Sequence, residues 1–286
     1  PVAGNGHCHG GGDRVAFSIT PAPAANAGVD QSLCSNNAVA TMNGSFTVAT
    51  GGIWSGGAGT FSPSATLMNA TYTPTASEIS NGSVTLTLTT TGNNNCVAVA
   101  DQVLISFTPS PSVDAGIDVS VCRNNAAVSL SGTVGVATGG IWSGGAGSFT
   151  PNNTTLNATY TPTPAELALG TLTLTLTSTG NGNCNAVSDS KVITFTPAPT
   201  VDAGANGTVC ANNSAITLAG ALTGASGVTW SGGPGPYNPH KPTLNARYTP
   251  APSVTTARHV TPDMYQHGNR QHQAATTPIH HSLTRS

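Results

Sequence analysis

The chain predicts an all-β protein, a tandem series of β-sandwich repeats with an 88-residue period. Three observations predict it. Cys34, Cys122 and Cys210 recur at that step, as do Trp54, Trp142 and Trp230, and Cys8, Cys96 and Cys184. Val84-Thr-Leu-Thr-Leu-Thr89 and Leu172-Thr-Leu-Thr-Leu-Thr177 alternate aliphatic and hydroxyl side chains with the period of a half-buried strand. Gly, Asn and Pro clusters, such as those at 93–95 and 180–183, supply turns between short strands. An array of this kind is built for length, valency or spacing rather than for one pocket.

The period sets the boundaries. Residues 1–20 read as the closing strand of a truncated preceding repeat, 21–110 and 111–198 as complete β-sandwich repeats, and 199–250 as an incomplete one. Residues 251–286 form a divergent tail. The closing strand recurs as Val15-Ala-Phe-Ser-Ile-Thr20, Val103-Leu-Ile-Ser-Phe-Thr108 and Lys191-Val-Ile-Thr-Phe-Thr196. Pro follows each of them and stops the ladder. One helical turn fits between strands at Ala76-Ser-Glu-Ile79 and Ala165-Glu-Leu-Ala168. Each complete repeat should span on the order of 30 Å, by compact-domain scaling.

Charge is scarce, with 8 Lys and Arg against 10 Asp and Glu. No basic face is available for nucleic acid. Alternation with Thr and Ser excludes the run of ~20 apolar residues that membrane insertion needs. Pro1-Val2-Ala3-Gly4 has neither the basic nor the apolar region of a signal peptide, and a leader is expected upstream.

Within each repeat the cysteines stand 62 residues apart, Cys34 with Cys96 and Cys122 with Cys184, and are expected to form disulfides. A loop of that size contributes roughly 4 kcal/mol in the chain-entropy model. Such bridges imply an oxidising compartment. Cys8 and Cys210 lack partners at that spacing, since position 272 holds His272. Trp54, Trp142 and Trp230 each open a Trp-Ser-Gly-Gly-x-Gly motif twenty residues after the first cysteine. They are expected in the core near a tight glycine turn, the rival reading being sugar-stacking platforms. No Lys-Ser/Thr follows the glycines, so they are no phosphate loop.

Together, Ala27-Gly28-Val29-Asp30 to Cys34, Trp54 to Gly57, Asn69-Ala-Thr-Tyr-Thr-Pro74, Val84 to Thr89 and Phe107-Thr-Pro109 resemble the PKD-like, immunoglobulin-like repeats of large Bacteroidota surface proteins. The resemblance covers both complete repeats and the first part of the third. It implies immunoglobulin-like sandwiches in series, secretion, and a stalk or adhesin role at the cell surface or outside the cell. It supplies no catalytic residues.

Candidate chemistry is thin. Asp30, Asp101, Asp114, Asp118, Asp189 and Asp202 recur near repeat ends, where calcium at the junctions is an alternative to turn capping. Asn26 and Asn206 stand at two equivalent positions and weaken the calcium reading. No other cofactor is expected. No His recurs in the repeats, so a Ser-His-Asp or Cys-His arrangement has no base, and no enzyme is expected. His7 and His9 flank Cys8 on one strand face, but no third ligand stands nearby.

The tail holds five of the eight histidines. It is expected to be either disordered or the product of a shifted reading frame. Codons from Arg258 read one base later permit Val-Thr-Leu-x-Leu-Thr-Cys-Thr-Asn-Thr-Gly-x-Gly-Asn, a partial match to the repeat in which the upstream Glu is not recovered. The third repeat should then lack its late strands and present an unpaired edge. The function expected is a non-catalytic structural stalk or adhesin region of a large secreted or surface protein. Its partners would be neighbouring repeats of the same chain and an unknown surface glycan or protein. The alternatives are a carbohydrate- or protein-binding module, or spacer repeats within a secreted hydrolase.

Overall fold

The computed structural model describes residues 17–253, 259–267 and 276–284. In the first repeat the strands are β1 (Ala24–Asn26), β2 (Gln31–Cys34), β3 (Ala40–Thr41), β4 (Ser45–Thr47), β5 (Gly51–Ser55), β6 (Thr60–Ser62), β7 (Thr71–Thr73), β8 (Ser83–Thr91) and β9 (Ala100–Thr108). One short helix, α1 (Ala76–Ser80), precedes β8. A four-stranded sheet runs β2-β9-β8-β5 and a three-stranded sheet runs β3-β7-β6, with β1 paired to β4. Only β2 runs parallel to its neighbour β9, with Cys34 opposite Thr108; all other pairs are antiparallel. These are immunoglobulin-like β-sandwich repeats in tandem.

Alternation builds the core. Along β8, Val84, Leu86 and Leu88 point inward and are buried, while Thr85 and Thr87 face outward. In β9 the buried residues are Val103, Ile105 and Phe107, and Trp54, Tyr72 and Met42 join them. Burial of an aliphatic side chain contributes about 1.5–3 kcal/mol, so these few residues dominate the stability of each thin sandwich.

The second repeat copies the first at the 88-residue offset, from Ser112–Asp114 to the strand Ser188–Thr196. Register is copied too: Trp54 faces Leu88, and Trp142 faces Leu176. Lys191 takes the inward position of Val103 and is buried. By contact density, residues up to Ser110 together with Gly182–Asn185 form one compact unit. Pro111–Asn181 and the chain from Ala186 form the other.

Two expectations need correction. Part of the divergent tail is ordered: His259–Val260, Asp263–His267, Thr276–Pro278 and His281–Thr284 are strands. They span the same offset positions as the long strands of the second repeat, and the register holds, since Trp230 faces Met264 and Gly207 faces His281. The third repeat therefore possesses late strands. Val260, Met264, Ile279 and Leu283 supply enough inward apolar side chains to close the core around Trp230. Pro262, with no N–H to give, separates the first two tail strands.

The second correction concerns the opening segment. Of the closing strand expected before residue 21, Phe17–Thr20 form no strand, and Phe17 and Ile19 are 87% and 92% exposed. The rest of that segment, including His7, Cys8 and His9, lies outside the described residues.

Candidate functional site

The Trp-Ser-Gly-Gly-x-Gly loop closes over a buried carboxylate. Thr75 caps α1 in a capping box: its hydroxyl accepts from Glu78 N–H while the Glu78 side chain accepts from Thr75 N–H. That box fixes Glu78 where it also accepts from Ala58 N–H (2.7 Å) and Tyr72 O–H (2.8 Å). The Tyr72 oxygen in turn accepts from Gly59 N–H at 2.8 Å. The second repeat builds the same node. Glu166 accepts from Ala146 N–H (2.6 Å), Tyr160 O–H (2.6 Å), Thr163 N–H (2.7 Å) and Thr163 O–H (2.9 Å).

Burial pushes the Glu166 carboxyl up, but the bonds from Thr163, Tyr160 and Ala146 outweigh it and hold it at about 2. Glu78 is likewise lowered, against the upward push of burial. Burial, reinforced by the carboxylate each faces, pushes Tyr72 and Tyr160 up to about 12. A carboxylate so fully occupied by donors is held ionised and has no free proton to exchange at neutral pH. The glycines are required by contact: a Cβ at Gly57 would lie 2.1 Å from the Tyr72 oxygen, and φ there is +72°.

The tryptophans that open this motif are buried in the cores, where Gly44, Gly132 and Gly220 leave room for their rings. Trp54, Trp142 and Trp230 are 2%, 0% and 0% exposed. Trp142 Nε1 donates to Leu156 O and Trp230 Nε1 to Thr243 O, at 3.1 and 2.9 Å. No ring face is open to stack on a sugar.

The repeated aspartates cap backbone. Asp101 accepts from Ala27 N–H and Asp189 from Ala115 N–H, both at 2.8 Å. Asp30 and Asp118 accept from Leu104 and Val192 N–H. Asn26 receives Gly28 N–H as Asp114 receives Gly116 N–H and Asp202 receives Gly204 N–H. Asn206 receives His280 N–H in the place of Asp118. An amide oxygen does this work as well as a carboxylate, which is why Asn and Asp interchange here.

The cysteine pairing expected from the sequence is overturned. Cys34 is bonded to Cys184, 150 residues away, and Cys96, Cys122 and Cys210 are free thiols. Cys34 lies at the Thr108 end of β9, whereas Cys96 precedes Ala100 at its other end. Nine strand residues span roughly 30 Å at ~3.4 Å each, and a disulfide needs Cα atoms within about 7 Å. The 62-residue spacing thus joins opposite ends of one sandwich. Around the observed bond, Asn36 Nδ2 donates to Asn185 O, Asn185 N donates to Asn36 Oδ1, and Asn185 Nδ2 donates to Asn36 O, each at 3.0 Å.

Sequence reasoning missed the Glu–Tyr node and these asparagines. The signal for the node was present: Thr-x-x-Glu is a capping box, and Tyr72, Tyr160 and Tyr248 recur at the repeat step. Cys-x-Asn-Asn likewise recurs at 34, 122 and 210. Among the described residues no three His, Cys, Asp or Glu side chains gather as a metal-binding group, and no helix is long and apolar enough to cross a membrane.

No family model matches the chain, and no curated protein is similar to it. Among solved structures, the I-band fragment I67-I69 from titin is similar at 10% identity and a TM-score of 0.45, over 94% of this chain and 100% of that one. Mouse cadherin-23 EC22-24 is similar at 14% identity and a TM-score of 0.38, over 93% and 99% of the two chains. Protocadherin gamma B2 cadherin domains 3-6 are similar at 11% identity and 0.36, over 92% and 73%.

Proposed function

We propose that this chain is a non-catalytic structural region, serving as a stalk or adhesin segment of a large secreted or cell-surface protein. One observation carries the reading: the two complete repeats duplicate their core, caps and buried Glu–Tyr node at one fixed offset. The recurring polar side chains are thereby engaged inside each repeat, Glu78 and Glu166 by four donors each. Selection for repeated internal structure is what a spacer requires. The disulfide supports an oxidising environment. The PKD-like character and the Bacteroidota origin belong to this reading, carried by the motif resemblance alone.

The test is location and binding together. Antibody against the full chain should label intact cells of the source organism, or the culture medium, without permeabilisation. Labelling that requires lysis would refute the surface reading. A glycan array probed with the full chain distinguishes the carbohydrate-binding alternative, which the buried tryptophans disfavour.

A further inference from the structure

The spacing of Cys34 and Cys184 exceeds the spacing within a repeat by one full period. The bond therefore joins the first cysteine of one repeat to the second cysteine of the next. Both halves of this site recur elsewhere in the chain. Cys34 Sγ lies 3.9 Å from Pro109 O, and Cys122 Sγ lies 3.8 Å from Pro197 O, one period on. Cys184 Sγ lies 3.7 Å from Pro109 O, and Cys96 Sγ lies 3.8 Å from Pro21 O, one period back. The turn after the first cysteine is copied as well: Asn37 N–H donates to Cys34 O at 2.9 Å and Asn125 N–H to Cys122 O at 3.0 Å. That turn carries Asn36, which holds the incoming loop through three hydrogen bonds, and Asn37, which donates to Asn183 O at 3.4 Å.

We propose that Cys-x-Asn-Asn is a receptor half-site and the second-cysteine loop its ligand, so that a repeat is covalently joined to the one after it wherever that loop carries its cysteine. Cys210 with Asn212 and Asn213 is then built to receive a cysteine loop from another copy of this repeat. Cys96 is built to enter the Cys-x-Asn-Asn turn of another copy. Position 272, which lies where Cys122 should find its partner, holds His, and Cys122 stays a buried thiol. No position within these 286 residues stands one such step after Cys210 or before Cys96.

The chemistry balances with oxidised glutathione or another small disulfide as oxidant. The Cys210 thiolate attacks its S–S bond and releases one glutathione thiol. The Cys96 thiolate of a second copy then attacks the mixed disulfide and releases the other. One protein S–S bond forms, and two protons and two electrons end on two glutathione thiols. This pairing does not rest on the stalk reading, since mass alone reads it out.

The test uses the full chain carrying Cys8→Ser, which removes a second loop-type cysteine. Isotopically light and heavy copies are mixed in a glutathione redox buffer, quenched by alkylation and mapped as peptides without reduction. Expected are Cys34 linked to Cys184 within one copy, and Cys210 linked to Cys96 between copies, severalfold above Cys96–Cys96 and Cys210–Cys210 links. Cys122 should react only after denaturation. Links of Cys34 to Cys96 or Cys122 to Cys184 would overturn the proposal, as would intercopy links in statistical proportion. Replacing both Asn212 and Asn213, which are exposed, with Ala should lower the Cys210–Cys96 yield severalfold and leave Cys34–Cys184 unchanged. An unchanged intercopy yield would remove the asparagines from the recognition.

Discussion

Glu166→Gln separates the charge of the buried node from its shape. The amide oxygen can still accept from Ala146 N–H and Tyr160 O–H, but the amide nitrogen then faces Thr163 N–H across 2.7 Å. One hydrogen bond to a charged acceptor is lost and one donor is left without a partner, a cost of about 2 kcal/mol. The depressed carboxyl sets an independent scale. A fall from 4.5 to about 2 converts to roughly 3 kcal/mol, which screening near the surface loop reduces to about 1–2 kcal/mol. Urea unfolding of the full chain, followed by pulse proteolysis of second-repeat peptides, should place the midpoint about 1–2 M lower. The pH dependence gives the sign. Because the folded carboxyl is depressed, its contribution is complete above pH 4.5 and is lost as pH falls toward 2. The gap between wild type and Glu166→Gln should close over that window. A variant as stable as wild type at pH 7, or a gap that persists at pH 2, would refute the charged-node reasoning.

Further outcomes follow from other contacts. Gly145→Ala places a Cβ 2.1 Å from the Tyr160 oxygen at φ +76° and should cost about 2–4 kcal/mol. Gly82→Ala, at φ +83° with nothing within 4 Å, should cost only about 1 kcal/mol; equal effects in thermal melts would discount the contact. Lys191→Val restores the residue type of Val103, removes a buried ammonium whose bond goes to Ile117 O, and should stabilise the second repeat by about 1 kcal/mol. A lower melting temperature would show that bond outweighs the desolvation. His281 is buried where the other repeats hold Ile105 and Ile193, and burial lowers its pKa from 6.5. The third repeat should therefore lose stability as pH falls below 6.5, and His281→Ile should raise its stability and flatten that dependence, read by hydrogen exchange.

The fold was legible because alternation and period act locally and repeat. Val84 to Thr89 specifies a two-faced strand without reference to anything distant, and the period copies it. The disulfide was not legible, because spacing along the chain does not report which end of a sandwich a residue reaches. Cys34 and Cys96 look like a pair on paper; the parallel pairing of β2 with β9 sends them to opposite ends. The Glu–Tyr node lay between these cases. Its capping box is a sequence signal, but its link to the glycine loop needs β7 and α1 brought together. The tryptophan motif carries both structures at once, so its glycines serve the tyrosine beneath them rather than a ligand above.

The tail tests how much sequence a register needs. The pairings its strands make all fall at the repeat offset, although the counterparts of Thr173–Val192 and Leu174–Lys191 are missing and the residues change character: Pro262 stands where Leu174 does, and His281 where Ile193 does. An insertion or a foreign segment would shift the offset; a change of reading frame replaces side chains and preserves their count. The codons of 258–271, read one base later, should therefore spell Thr-Leu at 259–260, Leu-Thr at 262–263 and Gly at 268 and 270, as at 171–172, 174–175, 180 and 182. The nucleotide sequence decides this directly. If the degenerate bases at those codons spell other residues, the shared offset has a different origin. The tail's four buried aliphatic positions would then be what preserves the register.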